Sequence, residues 1–571
     1  MAAIITNKLR IFNAMEFLQS INRSAPNWKP NNSYAEGDVV VNNQNSFIAL
    51  GNSSGTSTSG VSAGDGGNGP TPDTLQDGTV QWAHQGQSVY NMLYMAIGKQ
   101  TPWLNDSNPP TPEDSIGYSY RFKYDTIALK KVNYNDMTLA IPRINWTSGR
   151  VYTMYEHDNP EEIIPNGYVI VASGNQFNVY KCINNQKYDA AAQTVTTVAS
   201  TIQPSTTGTE IEETADGYKW KFMYAIDLQD SLKFLTKDYI PVKNLLEDPV
   251  APGTAAQVQW DIKQAASQPN PGQIEHVKIM PNEEGGAIGG GVGYHPNIQQ
   301  IGSDTSTGTS VTFFGVDGAT DYTGYDLVDL GNQEQFRITN WNINGTTATA
   351  TVNGSFTGGT GRDIFVAPGI SISGNGSSFS AYGLVVDQRI EKIVITNTGA
   401  DWSAVDNATI DVNNVPAYNF DGTLNVNACK VKPIVSPETG HGFNPAEELG
   451  GYYVMTAIKL EYDEQSTREI ASGALETRIM FPVEDSQAQF RQIAIVADPD
   501  AKIPATGSTP ASSTPANEES YRGPQHPDHG TPDEEPFDIV TGTGKVLYIE
   551  NRQPVSRAID QIEDIKVVFE F

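Results

Sequence analysis

Six side chains of metal-binding type cluster near the C-terminal end: His526, Asp528 and His529, then Asp533, Glu534 and Glu535. Imidazole and carboxylate ligands of this kind hold zinc and similar divalent ions. The prolines around them deny the segment a helix or strand that would fix the geometry, and ordering a mobile segment opposes metal binding. A solvated loop explains the cluster more simply. Asp317, Asp321, Asp326 and Asp329 offer oxygen ligands for a structural calcium ion, but without the glycine at six and glutamate at twelve of an EF-hand loop. Acidic turns between strands account for them.

Other motifs point to nucleotide or acyl-transfer chemistry. Gly542-Thr543-Gly544-Lys545 suggests a phosphate loop, yet Ile539 and Val546 stand where that motif needs Gly and Ser/Thr. Lys545 also opens an apolar run of strand type, so no ring of helix N–H groups would face a phosphate. The glycines from Gly289 to Gly293 neither follow a strong strand nor open a helix, which excludes a dinucleotide fingerprint. No Gly-x-Ser-x-Gly elbow lies between a strand and a helix. His157 beside Asp158 and His441 near Glu438 do not make a triad, because triads assemble from distant segments. No catalytic constellation, cofactor site or metal site emerges, and the expected protein is not an enzyme.

Trp28, Tyr34 and Trp82 are candidates for binding. Aromatic faces on a small β module can stack on sugar rings. The same three rings also suit the core of a small domain that has few other large side chains.

These residues sit in a chain of 571 residues, long enough for several domains. Hydrophobic residues make up 38%, enough for real cores, while only 18% are charged. Fifty-two glycines and 34 prolines between short apolar runs predict a mainly β protein: several β-sandwich-like domains with few helices, including one near the N-terminus. A net charge of −30 repels phosphate backbones and anionic bilayers, so neither nucleic acid nor membrane is an expected partner. No stretch approaches the ~20 apolar residues of a membrane span, and no signal peptide opens the chain. Two cysteines, Cys182 and Cys429, cannot build a disulfide framework and read as buried free thiols in a reduced compartment.

Along the chain, a helix is expected over 5–21, capped by Thr6, with Leu9, Ile11, Phe12, Met15 and Leu18 at helical spacing. It packs on its own domain or docks on a partner. Residues 24–87 form a small β module, with a hairpin from Val39–Val41 to Phe47–Leu50 across 42–45. Residues 88–245 carry apolar runs between turns: Tyr94–Ile97, Tyr118–Tyr124, Tyr168–Ala172, Phe177–Ile183 and Trp220–Ile226, with a helical turn at Ser231–Leu235. The region 246–429 is mixed and then sandwich-like, with period-two runs at Val311–Phe314, Thr347–Val352, Ile370–Ile372 and Lys392–Thr396. The section 430–571 has the strongest strands, interrupted by a mobile loop over 498–537.

Several of these segments carry a resemblance. Tyr94-Met-Ala-Ile-Gly98-Lys-Gln-Thr-Pro102-Trp103, with its Asn/Pro-rich continuation to Ser115, resembles a signature of the baseplate wedge subunit family of T-even-like contractile-tailed bacteriophages. Similar blocks follow in order: Arg143-Ile-Asn-Trp146-Thr-Ser-Gly149 with Tyr152 and Tyr155; Phe177-Asn-Val-Tyr180-Lys-Cys182; Pro204-Ser-Thr-Thr-Gly208; Asp216-Gly-Tyr218-Lys-Trp220; Leu232-Lys-Phe234 to Val242; Gly440-His-Gly442-Phe-Asn444 with Glu447 to Gly450; and Gly544-Lys-Val-Leu-Tyr548 to Arg557. They span 1–23, 88–245 and 430–571, a little over half the chain; 24–87 and most of 246–425 read as loop insertions, which chain entropy tolerates. The resemblance implies a structural protein that forms a homodimer and joins other baseplate wedge proteins in the virion, made in the host cytoplasm. The insert 24–87 separately resembles chitin-binding-like modules of phage tails, which implies a host glycan partner through Trp28, Tyr34 and Trp82.

Overall fold

Short β-branched and aromatic runs, each bounded by Gly, Asn or Pro, leave little room for long helices. The computed structural model accordingly is mainly β, with 49% strand against 13% helix among the residues it describes. It describes the chain except residues 1–4, 23–27, 36–37, 43–44, 53–58, 65–66, 88–92, 133–135, 190–193, 246–247, 250–251, 268–271, 281–290, 292, 305–307, 358–361, 404–408, 413–428, 430, 438–439, 461–488, 498–499, 504–511, 516–543 and 557–562. The His526–Glu535 cluster, Glu438 and most of the glycine run 285–293 fall outside those residues. Two compact units are formed, one from Met1–Ala140 with Tyr452–Phe571 and the other from Ile141–Gly451. The first unit therefore joins chain segments more than three hundred residues apart.

In the first unit the strand Leu93–Gly98 is central and fully buried. It pairs with Thr126–Lys131 on one side and Gln489–Ala497 on the other, and the latter continues to Lys545–Ser556. Tyr453–Leu460 pairs with Glu563–Glu570 and, through Tyr453↔Ala140 and its neighbours, with Met137–Ala140. Helix α1, Asn7–Asn22, covers this sheet. It buries Ile11 and Ala14 and sets Phe17 5.8 Å from Phe569 and 5.0 Å from Phe571, ring centre to ring centre. The helix thus packs on its own unit, while Ile5, Leu9 and Phe12 remain exposed.

The expected hairpin in 24–87 forms, with Val39–Asn42 paired on Asn45–Asn52 and Val80–Gln87 beyond. In the second unit, Tyr168–Ser173, Gln176–Asn184, Lys219–Ile226 and Ile211–Glu213 lie side by side in that order. A six-stranded sheet runs Ile298–Asp304, Arg362–Ala367, Asp326–Asp329, Glu334–Asn344, Thr347–Phe356, Gly308–Phe314. A further sheet runs Arg389–Ala400, Ser377–Val386, Gly369–Ser373, Thr409–Val412. Ile274–Ile279 pairs with Val431–Val435.

Three segments depart from expectation. Tyr118–Tyr124 is not a strand but part of helix α2, Ile116–Asp125. The alternation of Tyr118, Tyr120, Phe122 and Tyr124 imitates a period of two, but Ser115 caps the helix by accepting the Tyr118 N–H, and this local bond decides the conformation. Ala255–Ser267, in the mixed region, is a helix started by Thr254, whose hydroxyl accepts the Gln257 N–H. Within the interruption at 498–537, Asp500–Ile503 pairs with Ser512–Pro515.

Candidate functional site

The sugar-stacking candidates come together, but inside the 24–87 module. Trp28, Tyr34 and Trp82 are 9%, 4% and 0% exposed, packed with Val40, Phe47, Ala49 and Val80. Tyr34 meets Trp82 edge to face at 5.1 Å. Gly69, at φ +66°, closes over Trp28; a Cβ there would lie 2.6 Å from the indole Cδ2. The Trp28 Nε1–H donates to Asp77, whose second oxygen accepts the Ala63 N–H at 2.9 Å. The three rings are the module's core, and Trp82→Ala is expected to destabilise it by about 3–5 kcal/mol. Denaturant unfolding followed by near-ultraviolet dichroism measures this loss.

Three of the four aspartates spend their oxygens on local turns, and the fourth, Asp326, on the neighbouring strand. Asp317 accepts from Thr320 Oγ1 at 2.9 Å, Asp321 from the Thr323 N–H at 2.8 Å, and Asp329 from the Gly331 N–H at 2.9 Å. Asp326 accepts from Gln335 Nε2 at 2.8 Å, and its burial raises the carboxyl pKa. Among the described residues no group of three or more His, Cys, Asp or Glu side chains could hold a metal ion. Lys545 opens a strand, Lys545–Ser556. Cys182 and Cys429 are buried free thiols, and burial pushes Cys429 up to about 12.

A cluster of buried charge was not singled out by spacing, because its members come from four separate segments. In the ladder between Gln176–Asn184 and Lys219–Ile226, Lys181 stands directly opposite Lys221. Like charges facing across a ladder repel. Each lysine is neutralised by a carboxylate from elsewhere: Glu448 lies 2.8 Å from Lys181 Nζ, and Glu275 lies 3.6 Å from Lys221 Nζ. His441 sits between the pairs. Lys181 Nζ donates to its Nδ1 at 3.0 Å, which places the imidazole proton on Nε2, 3.7 Å from Glu275. The Tyr155 ring closes the cluster, edge to face with His441 at 4.8 Å and 4.3 Å from Lys181 Nζ.

The turn Gly440-His-Gly442 supplies this histidine. Gly442 adopts φ +89° and packs so close to Ile262 that a Cβ would lie 2.4 Å from its Cγ2; its N–H donates to Glu448 Oε1 at 2.6 Å. Glu448 ends a short helix, Pro445–Glu448, capped by Asn444. Burial opposes ionisation of Glu448, but the Lys181 charge beside it outweighs this and holds the carboxyl down at about 2. Burial and the Lys181 charge push His441 below its ordinary value, so it stays neutral. The side chains of Lys181, His441 and Glu448 are 1%, 2% and 4% exposed, which leaves no approach for a substrate. The cluster can lock strands together.

A second anchor lies in the first unit. Arg491 grips Asp106 through two bonds of 2.9 Å and donates to the Gln100 carbonyl. Trp103 Nε1 donates to the Arg552 carbonyl at 3.0 Å, and Lys99 lies over the Trp103 ring at 4.4 Å. Asn551 Nδ2 donates to the Tyr118 hydroxyl at 2.6 Å. The Pro-Trp loop is thereby tied to strands from the other end of the chain.

Residues 473–571, which include Arg491, Asn551 and Arg552, match the family described as Phage-Gp8: Bacteriophage T4, Gp8. The chain is also 23% identical over 207 residues to "Baseplate wedge protein gp8" of Enterobacteria phage T4, an alignment covering 30% of this chain and 59% of that protein. Both similarities point to one family of baseplate wedge proteins.

Proposed function

We propose that this chain is a structural subunit of a bacteriophage tail baseplate wedge, connecting neighbouring wedge proteins during assembly and tail contraction. The similarity to baseplate wedge protein gp8 carries this reading. The geometry supports it, because the buried charges tie distant strands together, as a load-transmitting scaffold requires.

The surface supports it as well. On helix α2, Phe122 is buried while Ile116, Tyr120 and Tyr124, four residues apart, are 78%, 67% and 92% exposed. Such spacing puts them on one helical stripe. Tyrosines are enriched in protein interfaces, where they supply area at low entropic cost. We assign this stripe to contact with a neighbouring wedge protein. The homodimer belongs to the same proposal, as does a location in the tail baseplate. Among the described residues no helix is long and apolar enough to cross a membrane. Host-glycan binding through 24–87 would need the faces of Trp28, Tyr34 and Trp82 to open, and the structure keeps them packed.

Deleting the coding sequence is expected to yield particles with incomplete baseplates that infect poorly, and supply of the chain in trans restores them. Fully infectious deletion particles would refute the proposal.

A further inference from the structure

The second unit contains a cleft of about 270 Å³ between the Ile211–Glu213 and Lys219–Ile226 edge, the strand Ile274–Ile279 and the strands Ser377–Val386 and Arg389–Ala400. Its lining contrasts with a chain of net charge −30: four lysines face two glutamates. Two of the lysines are engaged within the fold, Lys278 with Glu156 at 2.6 Å and Lys392 with Glu213 at 2.7 Å. Lys187 and Lys219 line the cleft and form no ion pair among the described residues. Lys219 stands opposite Glu213 in the ladder, but that carboxylate is taken by Lys392.

His276 supplies a second, independent sign. It lines the cleft, is only 6% exposed, and its ring nitrogens, both shielded from solvent, have no hydrogen-bond partner among the described residues. A buried imidazole left wholly unpaired forfeits free energy that a bound group would restore. Burial, then the charges of Lys219 and Lys278, keep it neutral, with one N–H to donate.

We propose that this cleft binds a carboxylate carried on a short apolar stem, with Lys219 and Lys187 holding the charge, the His276 ring turning to donate to an oxygen, and Leu384 and Ile393 covering the stem. Charge-assisted bonds of this type are short and strong. A dianionic phosphate fits less well, because Glu213 and Glu391 also face the cleft and the aliphatic wall would be wasted on it. The carboxylate can come from a free organic acid or from an acidic side chain of another protein. The inference stands independently of the baseplate reading.

Calorimetric titration of the full chain with glutarate, with its neutral isostere glutaramide, with inorganic phosphate and with the blocked peptide acetyl-Gly-Glu-Leu-Gly-amide tests it. Saturable binding of glutarate or the peptide is expected, with glutaramide and phosphate at least about tenfold weaker, equivalent to ~1.4 kcal/mol. Glutarate alone binding identifies a free acid as the source, and the peptide binding better identifies a protein side chain. Lys219→Met, at a half-buried position, is expected to weaken the carboxylate at least about tenfold, with circular dichroism unchanged. Lys187→Met serves as the second variant if Lys219→Met unfolds. Binding of neither carboxylate, equal binding of glutaramide or phosphate, or undiminished affinity in the folded variant would overturn the proposal.

Discussion

Lys181→Met is expected to lower the stability of the second unit by about 3–5 kcal/mol, the range for breaking a buried ion pair on one side only. Methionine fills much of the lysine volume, so the loss comes from charge and not from a cavity. It strands Glu448 in a site only 4% exposed, with the Gly442 N–H and a neutral His441 as its remaining neighbours. The double variant Lys181→Met, Glu448→Gln is expected to lose less than the single change, since the unpaired charge is gone. Urea unfolding of the three proteins decides the point, and additive losses would contradict it.

The same cluster sets a pH dependence. Glu448 is held at about 2 against an ordinary 4.5, so its contribution is complete above pH 4.5 and is lost as pH falls through about 2. His441 is pushed below its ordinary 6.5; the unfolded chain takes up a proton below that pH which the folded chain refuses, and stability declines further. In Lys181→Met the Glu448 carboxyl loses its main partner, and the acid limb of the stability curve should begin at higher pH.

The second large effect lies at the surface. Tyr120→Asp combined with Tyr124→Asp on helix α2 is expected to leave folding intact and to weaken incorporation into baseplates by at least about a hundredfold, as for two buried interface tyrosines. Both side chains face outward, so their loss costs little inside the chain. Co-assembly with the other wedge proteins, followed by sedimentation, measures it. Unchanged incorporation would remove the stripe from the interface.

The strands were legible because residue pattern and environment agree. Leu93–Gly98, a continuous apolar run, is a central buried strand, and Gln176–Asn184 likewise. Helix α2 was read only as an apolar run, because its four aromatics stand at period two and its helix signal is a single capping serine. The Lys181 cluster was illegible to spacing because Lys181, Lys221, Glu275, His441 and Glu448 meet only through tertiary pairing. A signal did exist: Lys181, His441 and Glu448 each lie within a block that resembles the wedge family, and lysine in a run as apolar as Asn178–Ile183 demands a counterion. Glu275, outside those blocks, carries no such mark. The unpaired His276 also left no trace, since its neighbours in the strand Ile274–Ile279 are ordinary β residues.

The central claim is tested most directly by electron microscopy of intact virions carrying a gold-binding tag on this chain. The account predicts label at the tail base, in fixed symmetric positions. Label elsewhere on the particle, or purified infectious virions that contain none of the chain, would contradict it.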